Sequence, residues 1–286
     1  MANITAAMVK ELRERTSVGM MDCKNALAEC QGDMEAAIDW LRQKGLSKAA
    51  KKAGRTTSEG LIGLKMSDDN SAAAMVEVLC ETDFVARGDK FKDFAADLAA
   101  RVHKNDPQDA EALAALVGED LNNQIATLGE NMSLGRFVRF EAQQPGLVGA
   151  YIHSNGKIGV LVELGVKNAA SLGRPELMEL AKNLAMQVAA TGTAALCPED
   201  LDPELVERER QIYRQKTLDE GKPENIVDKI VDGRINKFYQ EVCLMEQAYI
   251  RDDKVNIKTL VLDQGKSLGD EISVRRFALL KLGEKA

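Results

Sequence analysis

The feature that most constrains the fold of this chain is an internal repeat. Gly60-Leu61-Ile62-Gly63 recurs as Gly146-Leu147-Val148-Gly149, an offset of 86 residues. The same offset carries Val76-Glu77-Val78 onto Val162-Glu163-Leu164. It also carries Phe91, Phe94, Ala95, Leu98, Ala99 and Val102 onto Leu177, Leu180, Ala181, Leu184, Ala185 and Val188. More than forty residues align without a gap, so two copies of one structural unit are expected. Each copy opens with an apolar strand, turns at Ser67-Asp68-Asp69-Asn70 or Ser154-Asn155-Gly156, and returns as a second strand; Asn-Gly is a strong hairpin signal. A helix with an apolar stripe follows. A third strand is expected from Leu128 through Phe140 and from Leu268 through Leu280, with Arg136-Phe137 aligned on Arg276-Phe277 at an offset of 140.

The two offsets differ by 54, so the second copy holds 54 extra residues between its helix and its last strand. Pro203 suits the first turn of a helix running to about Glu220. Gly221-Lys222-Pro223 turns the chain, and the return helix places Val227, Val231, Ile235, Phe238, Val242 and Met245 on one face. The insertion therefore reads as an antiparallel helical hairpin. Against the sparse apolar positions of the outgoing helix, Leu205 and Ile212, that stripe is expected to be incompletely covered. Its two readings are packing between its own helices and a contact with a partner or a second copy.

Residues 1–45 read as three short helices. Thr5 caps the first, with Met8, Val9 and Leu12 on one face, and Thr16-Ser17-Val18-Gly19 breaks it. Cys23, Ala26, Leu27 and Cys30 stripe the second, which Gly32 ends. Asp33 caps the third, where Ala36, Ala37, Trp40 and Leu41 form the buried side until Gly45. Met20-Met21 sits at the loop–helix junction, either as core gap-fillers or as an exposed, adaptable contact patch. Lys48 through Arg55 reads as a helical or flexible basic linker, a solvated face or a phosphate contact. The fold class is α+β: a three-helix N-terminal head, a duplicated antiparallel-sheet/helix core, and an inserted antiparallel helical hairpin. The boundaries fall at 1–55 for head and linker, 56–142 for the first core unit and 143–286 for the second, with the hairpin at about 200–250.

Several function classes are disfavoured by composition. A net charge of −7 repels phosphate on average, which disfavours nucleic-acid and membrane surfaces as partners. No apolar run approaches the ~18 residues of a membrane span, and Met1-Ala2-Asn3-Ile4-Thr5 lacks the pattern of a secretory signal. Five scattered cysteines without a CxxC read as reduced thiols, and a cytoplasmic location is expected. His103 and His153 are the only histidines, and no phosphate loop, GxGxxG after a strand, or HExxH is present. Cys80 lies beside Glu81 and Asp83, which disfavour a thiolate. The expectation is a protein that is not an enzyme, with no metal, no cofactor and no catalytic residues.

Function is to be sought where the copies differ. Between second strand and helix the first copy has Thr82-Asp83-Phe84-Val85-Ala86-Arg87, whereas the second has Asn168-Ala169-Ala170-Ser171-Leu172-Gly173, so Ala170 stands opposite Phe84. Two readings follow. Phe84 fills a gap peculiar to the first copy while Asp83 caps the next helix, or Phe84 is an exposed aromatic anchor flanked by a carboxylate.

These residues carry a resemblance. Leu12-Arg13-Glu14-Arg15-Thr16-Ser17-Val18-Gly19-Met20-Met21-Asp22-Cys23-Lys24-Asn25-Ala26-Leu27 resembles the N-terminal signature of the bacterial elongation factor Ts family. Glu77 through Arg87, with Thr82-Asp83-Phe84-Val85 at its centre, resembles the family's second signature, although Leu79 stands where asparagine is often found. The head (UBA-like in that family), doubled core and hairpin match the family's layout along essentially the whole chain. The resemblance implies a guanine-nucleotide exchange factor for the GTPase elongation factor Tu in translation elongation. It implies that Phe84 wedges into an apolar gap on the GTPase while Asp83 and its neighbours Thr82 and Val85 dislocate the Mg²⁺ network. Met20, Met21 and Lys24 would supply a second contact. His153, at the tip of the second hairpin, is either a further contact or a solvated turn residue. A homodimer or a 2:2 complex through the helical hairpin is also implied. Some members add a C-terminal helical module that grips the GTPase; this sequence stops at Lys285-Ala286, which leaves that contact, or its replacement, open.

Overall fold

The computed structural model describes residues 4–16 and 18–284; Met1–Asn3, Ser17 of the expected helix break, and Lys285-Ala286 lie outside the described residues. So do the side chains of residues 46–48 and 50 in the basic linker. The described residues divide into two compact units, one within Met1–Lys65, Met75–Phe137 and Leu282–Ala286, the other within Met66–Ala74 and Val138–Lys281.

Three helices begin the first unit: α1 (Ala6–Thr16), α2 (Met20–Glu29) and α3 (Met34–Lys52). The Met8 amide donates to Thr5 Oγ1 at 3.3 Å, and the Ala36 amide to Asp33 Oδ1 at 3.0 Å, so both expected caps are made. Val9, Leu12, Cys23, Ala26, Leu27, Ala37 and Leu41 form the head's core. Ala36 is exposed instead of buried, and Trp40 is only partly covered. Nor does α3 stop at Gly45. It runs on to Lys52, and a Cβ at Gly45 would lie 3.4 Å from Ala126 Cβ, so the glycine marks where α3 lies close against a later helix rather than where it ends.

The first core copy follows as β1 (Glu59–Met66), β2 (Ala72–Cys80), the single turn α4 (Asp83–Ala86), α5 (Asp89–Asn105), α6 (Ala110–Val117), α7 (Asp120–Leu128) and β3 (Met132–Glu141). Its sheet has the order β1-β2-β3. The second copy has β4 (Gly146–Ile152), β5 (Ile158–Val166), α8 (Pro175–Thr191), the inserted helices α9 (Pro203–Asp219) and α10 (Glu224–Val242), a short hairpin of β6 (Ala248–Tyr249) and β7 (Asp252–Asn256), then α11 (Ile257–Leu268) and β8 (Ile272–Lys281). Here β5 lies between β4 and β8, antiparallel to both. The six stripe positions expected on α5 and the six on α8 are all buried.

Contacts repeat with the sequence. A Cβ at Gly63 would fall 2.2 Å from the Ala95 carbonyl, and one at Gly149 would fall 2.4 Å from Ala181 Cβ, so each copy needs glycine where its helix crosses its first strand. Buried Glu77 accepts from Arg136 Nε at 3.1 Å, and buried Glu163 accepts from Arg276 Nε at 2.6 Å. The β5–β8 register slips between Glu163 and Leu164, so that Arg275 also reaches Glu163, at 3.2 Å.

The structure corrects the expected strand starts. Leu128 and Leu268 end helices α7 and α11, and Gly129 (φ 83°) and Gly269 (φ 67°) terminate them in the left-handed conformation. The hairpin is corrected too. Val227, Val231 and Ile235 are buried, with Tyr213 and Tyr239 packed against them, so this stripe is covered within the chain. Helix α10 stops at Val242, and Met245 packs on the core of the second sheet.

Candidate functional site

The Thr82–Val85 segment leaves the buried strand β2 and makes one helical turn. Thr82 is extended (φ −128°, ψ 154°), and its Oγ1 accepts from the Val85 amide at 3.4 Å, which makes it the N-cap. The turn is held from below by Glu130, which follows Gly129 between α7 and β3. Glu130 Oε2 accepts from the amides of Glu81 (3.1 Å) and Thr82 (2.9 Å), and Oε1 accepts from the Thr82 hydroxyl (2.6 Å). Glu81 reciprocates, accepting from the Asn131 amide at 2.6 Å. That bond, with Arg55 beside it, holds the Glu81 carboxyl below its usual range. Asp83 lies in the first turn and pairs with Arg87 at 2.9 Å. The cap is therefore Thr82, not Asp83. Phe84 is 84% exposed, so it fills no gap in this chain's core.

The second copy builds the same device. Asp270 Oδ1 accepts from the Lys167 and Asn168 amides at 3.2 and 3.1 Å, and Oδ2 accepts from Ser171 Oγ at 2.6 Å. The Ser171 hydroxyl first, then the neighbouring amides, outweigh the opposing effect of burial and hold the Asp270 carboxyl below its usual range. Asn168 caps a short 3₁₀ turn, Ala169–Ser171, by accepting from the Ala170 amide at 3.0 Å. Ala170 is exposed there. The backbone support is common to both copies, and the aromatic side chain is not.

Met20 and Met21, 52% and 67% exposed, begin α2 and stand outside the head's core, which excludes the gap-filling reading. Lys24, one turn on, is exposed as well. His153 belongs to the other compact unit, at the start of the β4–β5 turn, where its Nδ1 lies 3.0 Å from the Tyr151 hydroxyl. Thr82, Asp83, Phe84 and Val85 thus form one turn, while the head residues and His153 stand on other elements.

Sequence reasoning missed Glu130. The available signal was the acid that persists at an offset of 140, in Leu128-Gly129-Glu130-Asn131 and Leu268-Gly269-Asp270-Glu271. Cys80 is buried, and burial first, then Glu130, push its thiol up to about 11, which disfavours the thiolate. Among the described residues there is no group of three or more His, Cys, Asp or Glu side chains able to hold a metal, and no helix is long and apolar enough to cross a membrane.

Fold and loop together define a doubled α+β scaffold that presents one aromatic side chain to solvent from a braced turn. A family model described as Elongation factor TS matches residues 81–284, from the start of that turn to the last described residue. Elongation factor Ts of Desulfovibrio desulfuricans is 60% identical over 283 residues, covering 99% of each chain. Elongation factor Ts of Nitratidesulfovibrio vulgaris is 53% identical over 99% of this chain and 97% of its own. That of Clostridioides difficile is 46% identical over 99% and 94%. The chain belongs to the elongation factor Ts family.

Proposed function

We propose that this chain promotes release of GDP from the GTPase elongation factor Tu during translation elongation, in the cytoplasm and without covalent chemistry of its own. Phe84 enters an apolar gap beside the nucleotide site, and Asp83, next to it, brings negative charge toward the Mg²⁺ that the GTPase holds. That ion ties nucleotide phosphates to protein oxygens, so displacing its ligands weakens nucleotide binding. The factor binds the nucleotide-free GTPase better than the GDP-bound one, and reciprocity of the coupling expels GDP.

Magnitude sets how much surface is needed. Moving the equilibrium by 10⁴ takes about 5.5 kcal/mol of differential binding, and burying one phenylalanine contributes about 2–3 kcal/mol. The remainder is assigned to other contacts: Met20, Met21 and Lys24 on the head (residues 1–55), and His153 and the helical hairpin on the second core unit (residues 143–286).

The observation that supports this reading best is the exposure of Phe84 on a turn whose counterpart is built alike but carries Ala170. The test is fluorescent-GDP release from loaded elongation factor Tu with the intact chain and with Phe84→Ala. The variant should release GDP at least about tenfold more slowly, since an anchor of this kind typically contributes 2 kcal/mol or more, with an unchanged circular dichroism spectrum. Equal rates with native spectra would remove Phe84 from the mechanism.

A further inference from the structure

An exposed aromatic drives a partner apart only if the turn carrying it is held when the two meet. A loose turn would yield instead, and ordering it would consume the binding energy. Asp83–Ala86 is a single turn, too short to be stable by itself. Its support comes from a residue 48 positions further along the chain. The three donors that Glu130 accepts are two successive backbone amides and the hydroxyl of the capping threonine, so one carboxylate fixes both the direction of the chain and the cap. Bonds to a charged acceptor are the stronger kind. We infer that Glu130 is a positioning residue for nucleotide exchange, bracing the Thr82–Ala86 turn so that Phe84 is presented in a fixed direction. This rests on the Phe84 reading above.

The second copy makes the inference separable from a contribution to folding. Asp270 makes the equivalent bracket under a turn that carries no aromatic, so its loss copies the structural consequence of losing Glu130 without the functional one. Four variants decide the matter: Glu130→Ala, Asp270→Ala, Phe84→Ala and Glu130→Ala/Phe84→Ala. Each is assayed for GDP release from elongation factor Tu over a range of factor concentrations.

Glu130→Ala should lower the maximal release rate about tenfold, the scale of one charge-assisted bond, with little change in the half-saturating concentration. Loss of folded protein alone would do the reverse, raising the half-saturating concentration and sparing the maximal rate. Asp270→Ala should keep the maximal rate within about twofold, and the double variant should match Phe84→Ala within about twofold, as expected for residues acting through one contact. Hydrogen exchange in the free Glu130→Ala protein should quicken at the Glu81 and Thr82 amides, which lose their acceptor. A normal maximal rate for Glu130→Ala beside a slow Phe84→Ala overturns the positioning role and leaves Phe84 in place. Normal rates for both overturn the Phe84 reading, and the positioning role with it.

Discussion

Replacing Glu163 with alanine tests the device that closes the second sheet. Its carboxylate is fully buried on the central strand β5 and accepts three bonds: from the Gln143 amide at 2.8 Å, from Arg275 at 3.2 Å and from Arg276 at 2.6 Å. Removing one partner of a buried pair costs about 3–5 kcal/mol when the other charge is stranded. Here the arginines are not wholly stranded: their side chains are 24% and 46% exposed. Arg275 also keeps the carbonyls of Gln143 and Pro145, and Arg276 keeps the Glu141 carbonyl and stacks on Phe140. What is left without a partner is the Gln143 amide and the volume of the lost side chain. That brings the expected cost to about 3 kcal/mol. At 2–4 °C per kcal/mol for a unit of this size, Glu163→Ala should lower the melting temperature by roughly 6–12 °C at pH 7. Burial raises the Glu163 pKa, but the Gln143 amide and the two arginines outweigh it and hold the carboxyl below its usual range. A depressed carboxyl stabilises the fold above its unfolded pKa and ceases to as pH falls through the folded value. The difference between wild type and variant, followed by circular dichroism, should therefore narrow as the pH is lowered below about 4.5, near the ordinary glutamate pKa. A drop under about 2 °C at pH 7, less than 1 kcal/mol, or a gap that widens in acid, would refute this reasoning.

Two further outcomes follow from the exposed elements. Met20→Ala/Met21→Ala should weaken binding to elongation factor Tu by about tenfold or more, as for a contact patch of two side chains, with the melting temperature nearly unchanged because neither methionine belongs to the head's core; a loss of binding fully matched by a loss of stability would remove them from the contact. Replacing residues 207–237 with a short Gly/Ser link keeps Val206, Phe238 and Tyr239 against Ala195, Leu201 and Cys243, so the chain should fold and bind the GTPase more weakly. Sedimentation of both forms, alone and with partner, checks this, and equal affinity with equal mass would make the hairpin a passive insertion.

Much of the scaffold was legible because the chain states it twice. A position that stays apolar at an offset of 86 is under the same packing demand in both copies, and all twelve helix stripe positions are buried. The exposed aromatic, Phe84, was legible as a candidate by the opposite logic, at the place where the copies part. Other features depend on tertiary contacts that no local pattern reports. Helices α7 and α11 end in Leu-Gly, which next to a strand reads as the strand's own beginning. Gly45 reads as a stop, yet it lies inside a helix that packs closely on its neighbour. The stripe on α10 looked uncovered because the aliphatic positions of α9 are few, whereas Tyr213 and Tyr239 supply the cover. The bracket under Phe84 joins residues 48 and 49 positions apart, a distance over which only the comparison of the copies carries information.

The central claim is that exchange depends on an aromatic at one of two equivalent turns. Its most direct test exchanges the two residues, Phe84→Ala with Ala170→Phe, which leaves composition and charge unchanged and places the ring on the turn braced by Asp270. The rate of fluorescent-GDP release from elongation factor Tu is then compared for the intact chain, Phe84→Ala and the exchanged chain. The account predicts fast release with the intact chain and equally slow release with the other two. Release by the exchanged chain at the intact rate, or no acceleration by the intact chain itself, would contradict it.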